Sequence, residues 1–534
     1  MKTLLTLILC LLLLPAHAAK VETGDATLDG AFADLLGSNF DKKEAALQTI
    51  AQSGHPKAFA LIEGILDGRL RLHKKSKRLV WAERQGRQYL ATDALSDEAL
   101  GEFNKRKLKK ISINNSMRRV IRALLATRAL DSADAQQRLQ AVQTMLDNPE
   151  PAHAELIEPR LANESDDAVK AAMSLVLALS NLGSDNEQDR LRAIDKVKGS
   201  LEPAVRQQLT RLAENDSSSA VQDAAARALR KIEDRVEVFG HIETLFFGLS
   251  LGSVLVLAAI GLAITFGVMG VINMAHGELI MLGAYTTYLI QQLMPEYAGV
   301  SLLLSIPAAF VVSGLVGIGI ERGVIRFLYG RPLETLLATF GISLILQQLV
   351  RTLISPQNVP VSNPEFMSGF WQVNSVLSLT YNRMYIILFC LLVFAGLFLI
   401  LKRTRLGLQV RAVSQNRAMA RAMGVHSDRV DALTFGLGSG IAGVAGVALS
   451  QLTNVGPNLG QQYIVDSFMV VVFGGVGNLW GTLIGGVGLG IANKFMEPWA
   501  GAVMAKILIL VIVILFIQKR PRGLFPQKGR AAEG

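Results

Sequence analysis

From about residue 242 to 520 the chain is a succession of long apolar segments punctuated by glycine, and this constrains the fold more than any other feature. Such segments occur near 243–267, 276–294, 300–320, 334–354, 384–401, 431–453, 463–482, 483–496 and 502–517. A bilayer core of about 30 Å requires roughly 20 apolar residues per helix, and backbone inside it must be paired within a helix or covered by protein. The expectation is therefore a polytopic α-helical membrane domain of eight to nine spans. The Gly-broken pair at 463–496 is the candidate for re-entrant or half helices.

Residues from about 19 to 240 are different: charged, Ala-rich and compatible with water. Helical periodicity dominates them, as in Ala168, Ala171, Ala172, Leu175, Val176 and Leu179. Short helices separated by Asp, Asn and Ser turns suit a HEAT-like solenoid or an irregular helical bundle. Residues 69–110 break the period and read as a short hairpin between helices. The fold class expected for the whole chain is all-α.

The first residues, MKTLLTLILCLLLLPAHA, carry Lys2, an apolar run and an Ala16-His17-Ala18 cleavage pattern. They divide the chain into a signal peptide (1–18), an exported helical domain (19–240), a transmembrane domain (241–520) and a cytoplasmic tail (521–534). With the signal peptide removed, span parity puts the loop holding Arg322, Arg326 and Arg331 inside, together with the segment Lys402–Val430 and the tail. Opposite loops are poor in Lys and Arg, as the positive-inside rule demands. The expected location is the bacterial inner membrane, with the first domain in the periplasm. The net charge of +10 belongs to these loops and to a solvated basic face at Arg69–Arg78, so no nucleic-acid partner is expected.

Two regions carry polar chemistry. One is Asn273-Met274-Ala275-His276-Gly277-Glu278, between the first two spans. Two candidate ligands at this spacing are no metal site, and no nucleophile adjoins them, so neither a metal nor a catalytic role is assigned. Asn273, His276, Gly277 and Glu278 read either as a hydrogen-bonded helix break or as lining of a translocation path. The other is Lys402–Val430. The chain has no Gly-Lys dipeptide and hence no phosphate-binding loop. It is not expected to be an enzyme or to bind a cofactor, and ATP would be hydrolysed by partner subunits. Arg417 and Arg421 share one helix face, as do Met419 and Met423. This suits an Arg-rimmed Met anchor in a partner's groove, or a helix held at an anionic membrane surface.

Ile272–Glu278, Ala420–Gly424 with Val425, Phe473-Gly474-Gly475-Val476-Gly477-Asn478 and Arg522-Gly523-Leu524-Phe525 resemble permeases of the branched-chain amino acid class of ABC importers. The resemblance implies that Ala420, Arg421, Ala422, Met423 and Gly424, flanked by Arg417, form a coupling helix against an ATPase. It implies a second related permease, two ATP-binding subunits and a periplasmic substrate-binding protein. Gly474, Gly475, Gly477 and Asn478 are candidates for a half helix on the pathway. The exported extension resembles that of the urea-transport permease subunit, giving urea or a similar small amide as the expected substrate. Branched-chain or other amino acids are the alternative, and an envelope scaffold or sensor is the alternative of another class.

Overall fold

The computed structural model of the protein describes residues 26–37, 39–76, 78–85, 88–147 and 152–525. The signal-peptide expectation and the tail beyond Phe525 lie outside them. The chain divides into two compact units, Met1–Glu233 and Asp234–Gly534.

The first unit opens with α1 (Ala26–Leu35), α2 (Phe40–Gln52) and α3 (Ala58–Asp67). Their apolar faces (Phe32, Leu35, Leu47, Ile50, Leu61, Ile62) share one core with Leu70, Leu79, Met117 and Ile121. Residues 69–110 are not a hairpin. They form a five-stranded antiparallel sheet, so the unit is not all-α. Its strands are β1 (Leu70–His73), β2 (Leu79–Gln85), β3 (Gln88–Asp93), β4 (Ala99–Phe103) and β5 (Leu108–Lys110), in the order β4-β3-β2-β1-β5. Leu70 and Leu79 turn one face of the sheet toward the helical core, and Val80, Ala82 and Ala91 lie on the opposite face in a smaller cluster with Leu108. Arg71, from the basic run, stacks 4.3 Å over Tyr89. His73 and His153 are buried.

After α4 (Asn115–Ala129) the helices repeat. The set α5 (Ala135–Asp147), α6 (Ala152–Leu161) and α7 (Asp167–Asn181) is followed by α8 (Glu187–Val197), α9 (Pro203–Asn215) and the start of α10 (Ser219–Met269). Corresponding residues are offset by 52, as from Ser132 to Ser184. Arg138 donates from Nη1 to Ser132 O (2.9 Å) and Ala133 O (3.1 Å), and from Nη2 to Glu164 Oε1 (2.7 Å). Arg190 does the same to Ser184 O (2.8 Å), Asp185 O (3.0 Å) and Asp216 Oδ1 (3.0 Å). Asp134 and Asn186 cap α5 and α8 in the same way, accepting from Gln136 N and Gln188 N. The cores correspond too: Val142 with Ile194, Met145 with Val197, Ile157 with Leu209 and Val169 with Val221 are all buried. Each module buries its apolar face by the same register and is locked by the same guanidinium clasp.

In the second unit nine helices among the described residues occupy the nine apolar segments. They are the apolar part of α10, α11 (His276–Leu293), α12 (Ala298–Gly323), α13 (Pro332–Leu353), α14 (Tyr381–Arg403), α17 (Ser427–Ser450), α18 (Leu459–Gly474), α19 (Leu479–Ala500) and α20 (Ala502–Lys519). The short α15 (Arg405–Gln415) and α16 (Arg417–Ala422) lie between α14 and α17. Among the described residues six helices are long and apolar enough to cross a membrane: α10, α12, α13, α14, α17 and α20. The expected eight to nine spans are not reached by that measure. At 16 residues α18 extends only about 24 Å, and α11 carries His276, Glu278 and two glutamines. The break expected at 482/483 falls instead at 475–478, where Gly475 and Gly477 take positive φ and Asn478 caps α19.

Innermost are α17 and α10, with 94% and 89% of their apolar windows buried, against 22% for α14 and 17% for α20. Glycine makes this possible. A Cβ on Gly283 (α11) would strike the backbone of Gly443, one on Gly443 would strike Ala309 and Ser313 (α12), and one on Gly438 would strike Gly261 (α10). Without a hydrophobic drive between helices in lipid, such backbone approach supplies the dispersion contact that holds them.

Candidate functional site

The segment linking α14 to α17 is built from caps. Thr404 Oγ1 accepts from Gly407 N (3.2 Å) to start α15, and Asn416 Oδ1 accepts from Met419 N (2.9 Å) to start α16. The C-terminus of α16 closes in a Schellman motif, Val425 N to Ala420 O and Gly424 N to Arg421 O, both 3.0 Å. Gly424 sits at φ +87°, a left-handed conformation that a side chain would strain. Ala420 is buried and joins Val430 in the core, so α16 has a fixed inner face.

Arg417 and Arg421 are not a free rim. Arg417 forms a bidentate pair with Asp431 (2.6 and 3.0 Å) and stacks 4.2 Å over Tyr329. Burial acts to lower its pKa, but the Asp431 hydrogen bonds and charge overcome this and raise it, so the cation is secure. Arg421 donates to Ser427 Oγ (2.5 Å) and Asp428 Oδ1 (3.1 Å), and Arg326 reaches the other Asp428 oxygen at 3.3 Å. These arginines fasten α16 to the start of α17 and to the 324–331 turn. The outward side is Met419 and Met423, 61% and 79% exposed, with Ala422 and Gly424 exposed beside them.

Asn273, His276, Gly277 and Glu278 are all buried. Asn273 Oδ1 accepts from Ala275 N (3.0 Å), His276 Nε2 lies 2.9 Å from Ala258 O, and Gly277 packs against the backbone of Gly460. Asn273 braces the α10–α11 break from within, and His276 and Gly277 tie it to α10 and α18. Glu278 does something else: its Oε1 accepts from Ser343 Oγ (3.0 Å) and Gln347 Nε2 (2.7 Å) on α13. Glu278 Oε2, His276 Nδ1 and Asn273 Nδ2 are buried without a partner. Among the described residues no group of three or more His, Cys, Asp or Glu could hold a metal.

Ser343 and Gln347 belong to a stripe that was not singled out from the sequence as a unit. Thr335, Thr339, Ser343, Gln347 and Arg351 recur every fourth residue along α13. The first four are buried. Thr339 Oγ1 accepts from Met274 N (3.1 Å), and Arg351 donates to Asn458 Oδ1 (2.6 Å). The outward face of α13 is apolar, with Leu333, Leu337, Ile345 and Leu353 exposed. This helix is inside-out relative to a water-soluble one, and the spacing alone identifies its polar face.

Gly474, Gly475, Gly477 and Asn478 are brought together as a helix break, and chain from the C-terminal side is seated on it. Leu524 N donates to Phe473 O (2.9 Å), Phe525 N to Gly474 O (3.1 Å) and Asn478 Nδ2 to Phe525 O (3.3 Å). Gly475, at φ +105°, leaves room for the Phe525 carbonyl.

Residues 244–517 match the family described as branched-chain amino acid transport system / permease component. The chain belongs to that family. The permease is 31% identical to the high-affinity branched-chain amino acid transport system permease protein BraD of Pseudomonas aeruginosa, over 54% of this chain and 96% of the relative. It is 31% identical to LivH of Escherichia coli K12, over 53% and 94%. It is 25% identical to the ribose import permease protein RbsC of Escherichia coli K12, over 52% and 85%. No solved structure matches. The permease is a membrane transport component without an ATPase site of its own. Residues before 244, which carried the urea expectation, lie outside the family match, and that substrate gains nothing from these relatives.

Proposed function

We propose that the permease is the membrane subunit of an ATP-driven amino acid importer, and that α16 is where the ATPase docks. The observation that carries the docking is the pair Met419 and Met423, exposed on a six-residue helix and at its C-cap, which a Schellman turn and the Arg417–Asp431 pair hold in place. Methionine adapts to a partner's groove, and a helix already fixed on the permease transmits a push instead of absorbing it. The partners are two ATP-binding subunits, a second related permease and a substrate-binding protein. The orientation is the one argued from charge: first unit outside, α15, α16 and the C-terminus inside, in a bacterial inner membrane.

Amino acids are preferred over urea because the relatives BraD and LivH are branched-chain amino acid permeases by description. RbsC shows that related permeases also serve ribose, so the substrate is set by local groups. The group best placed to set it is Glu278 with the α13 stripe. A carboxyl with one oxygen unpartnered, reached along a line of hydroxyls and an amide, suits passage of an ammonium-bearing solute. The test is uptake into proteoliposomes holding all partner chains. ATP-dependent leucine uptake that excess urea leaves untouched is expected. Uptake of urea but not leucine would overturn the substrate, and uptake by this chain alone would overturn the mechanism. Glu278→Gln should lower leucine uptake about tenfold with assembly unchanged.

A further inference from the structure

An open cavity of about 780 Å³ lies between α10, the α14–α15 junction and the α18–α19 break. Neither the docking helix nor the α13 stripe contributes to it. Its floor is apolar, with Ile264, Leu401 and Leu479, and Phe398, Trp480 and Phe525 add aromatic walls. Lys402 and Arg411 are its charged lining, and among the described residues that lining holds no carboxylate. Lys402 Nζ sits 5.2 Å over the Phe398 ring, and Arg411 donates to Leu401 O in the last turn of α14. Trp480 packs edge-on against Phe394 and Phe398, yet is 52% exposed, next to Ile484 at 47%.

We propose that this cavity binds an anionic phospholipid, with the phosphate between Lys402 and Arg411 and an acyl chain along Trp480 and Ile484. Three observations converge. Lys402 stands where α14 leaves the apolar layer, and a half-exposed tryptophan marks the headgroup level of a bilayer. Two cations without a carboxylate among them select negative charge, as basic pockets between membrane helices do for acidic lipid headgroups. The apolar floor continues into the exposed face of α14 and α19, where lipid tails run. The chain beyond Phe525 is a poor rival occupant, because Lys528 and Arg530 outnumber its one acidic side chain, Glu533. The inference does not depend on which solute is carried.

The full-length permease with its partner chains, in phosphatidylcholine nanodiscs, tests this by quenching of Trp480. The signal of Trp480 is the difference between the parent and Trp480→Phe as dibrominated phosphatidylglycerol or dibrominated phosphatidylcholine is titrated in. Half-maximal quenching is expected at a several-fold lower fraction of phosphatidylglycerol, and Lys402→Gln/Arg411→Gln should make the two curves coincide. Native mass spectrometry supplies a second readout: the parent should retain phosphatidylglycerol and the double variant should lose it. Equal curves for the parent, an unchanged preference in the double variant, or no quenching by either lipid would overturn the proposal, the last by assigning the cavity to a partner chain. Displacement of the lipid by inorganic phosphate alone would overturn it in favour of a soluble anion.

Discussion

The paired modules of the first unit and the inner helices of the second bring helices together by opposite means. In α5–α10 large side chains fill the space between helices, and a guanidinium ties each module's loop to the helix that ends it. In α10, α11, α12 and α17 side chains are removed where helices meet, and backbone lies on backbone. The first arrangement puts its specificity in a few charged groups that can be deleted singly. The second spreads it over glycines that cannot be enlarged.

That contrast is broken most directly at the crossing of α11 and α17. Gly283→Val and Gly443→Leu each place atoms where backbone already lies, and overpacking of this kind costs about 3 kcal/mol or more. Both variants should fail to give a monodisperse peak in fluorescence-detected size exclusion. Gly341→Ala on α13, where nothing lies within 4 Å of the added carbon, should behave as the parent. Equal behaviour of all three would mean that the inner packing is not limited by backbone contact.

The clasps come next. Arg138→Ala and Arg190→Ala each leave a carboxylate buried, the partner side chains being 4% and 6% exposed. Losing one member of a buried pair costs about 3 kcal/mol. Hydrogen exchange on the full chain should show loss of protection in residues 167–181 for the first and 219–233 for the second, by similar amounts. A large effect from one and none from the other would show that the modules match in geometry but not in energy.

The docking helix lies between these two regimes, with a fixed inner face and an apolar outer one. Met423→Ala should weaken binding of the ATP-binding subunit about tenfold, the scale of one interface anchor, and leave the melting temperature of the permease unchanged. Asp431→Asn should lower both. A change in melting temperature with no change in binding for Met423→Ala would remove the methionine from the interface.

Why some of this could be read from sequence and some not follows from the length over which each pattern acts. The apolar segments are long, and the helices fall on them. Residues 69–110 read as a hairpin in the sequence because strands of three to seven residues are too short for alternation to stand out. The 52-residue repeat was legible in the shared Ser-x-x-x-Gln-x-Arg-Leu-x-Ala of 132–141 and 184–193, but only a search for that offset finds it. So was the α13 stripe, since one spacing of four repeated along a helix needs no partner to be seen. The fold-back of Arg417 was not legible: Asp431 lies 14 residues away and across a Gly424 turn, so a pattern of helix faces shows Arg417 as an outward cation.

The smallest expected effect is on pH, and it concerns the first module. The Arg138 hydrogen bond, helped by the backbone N–H groups of Asp166 and Ser165, outweighs burial and holds the Glu164 carboxyl at about 2, below the ordinary 4.5. A carboxyl with a depressed folded pKa stabilises the fold fully above its unfolded value and loses that contribution as pH falls toward the folded one. Protection of residues 132–181, corrected for the intrinsic pH dependence of exchange, should therefore be flat above about pH 5 and fall several-fold by about pH 3.5. Glu164→Gln has no such proton to take up, so its protection should start lower and stay flat over the same window. If the variant fell as steeply as the parent, the slope would belong to another carboxyl, and the clasp would be holding the module by shape and hydrogen bonding alone.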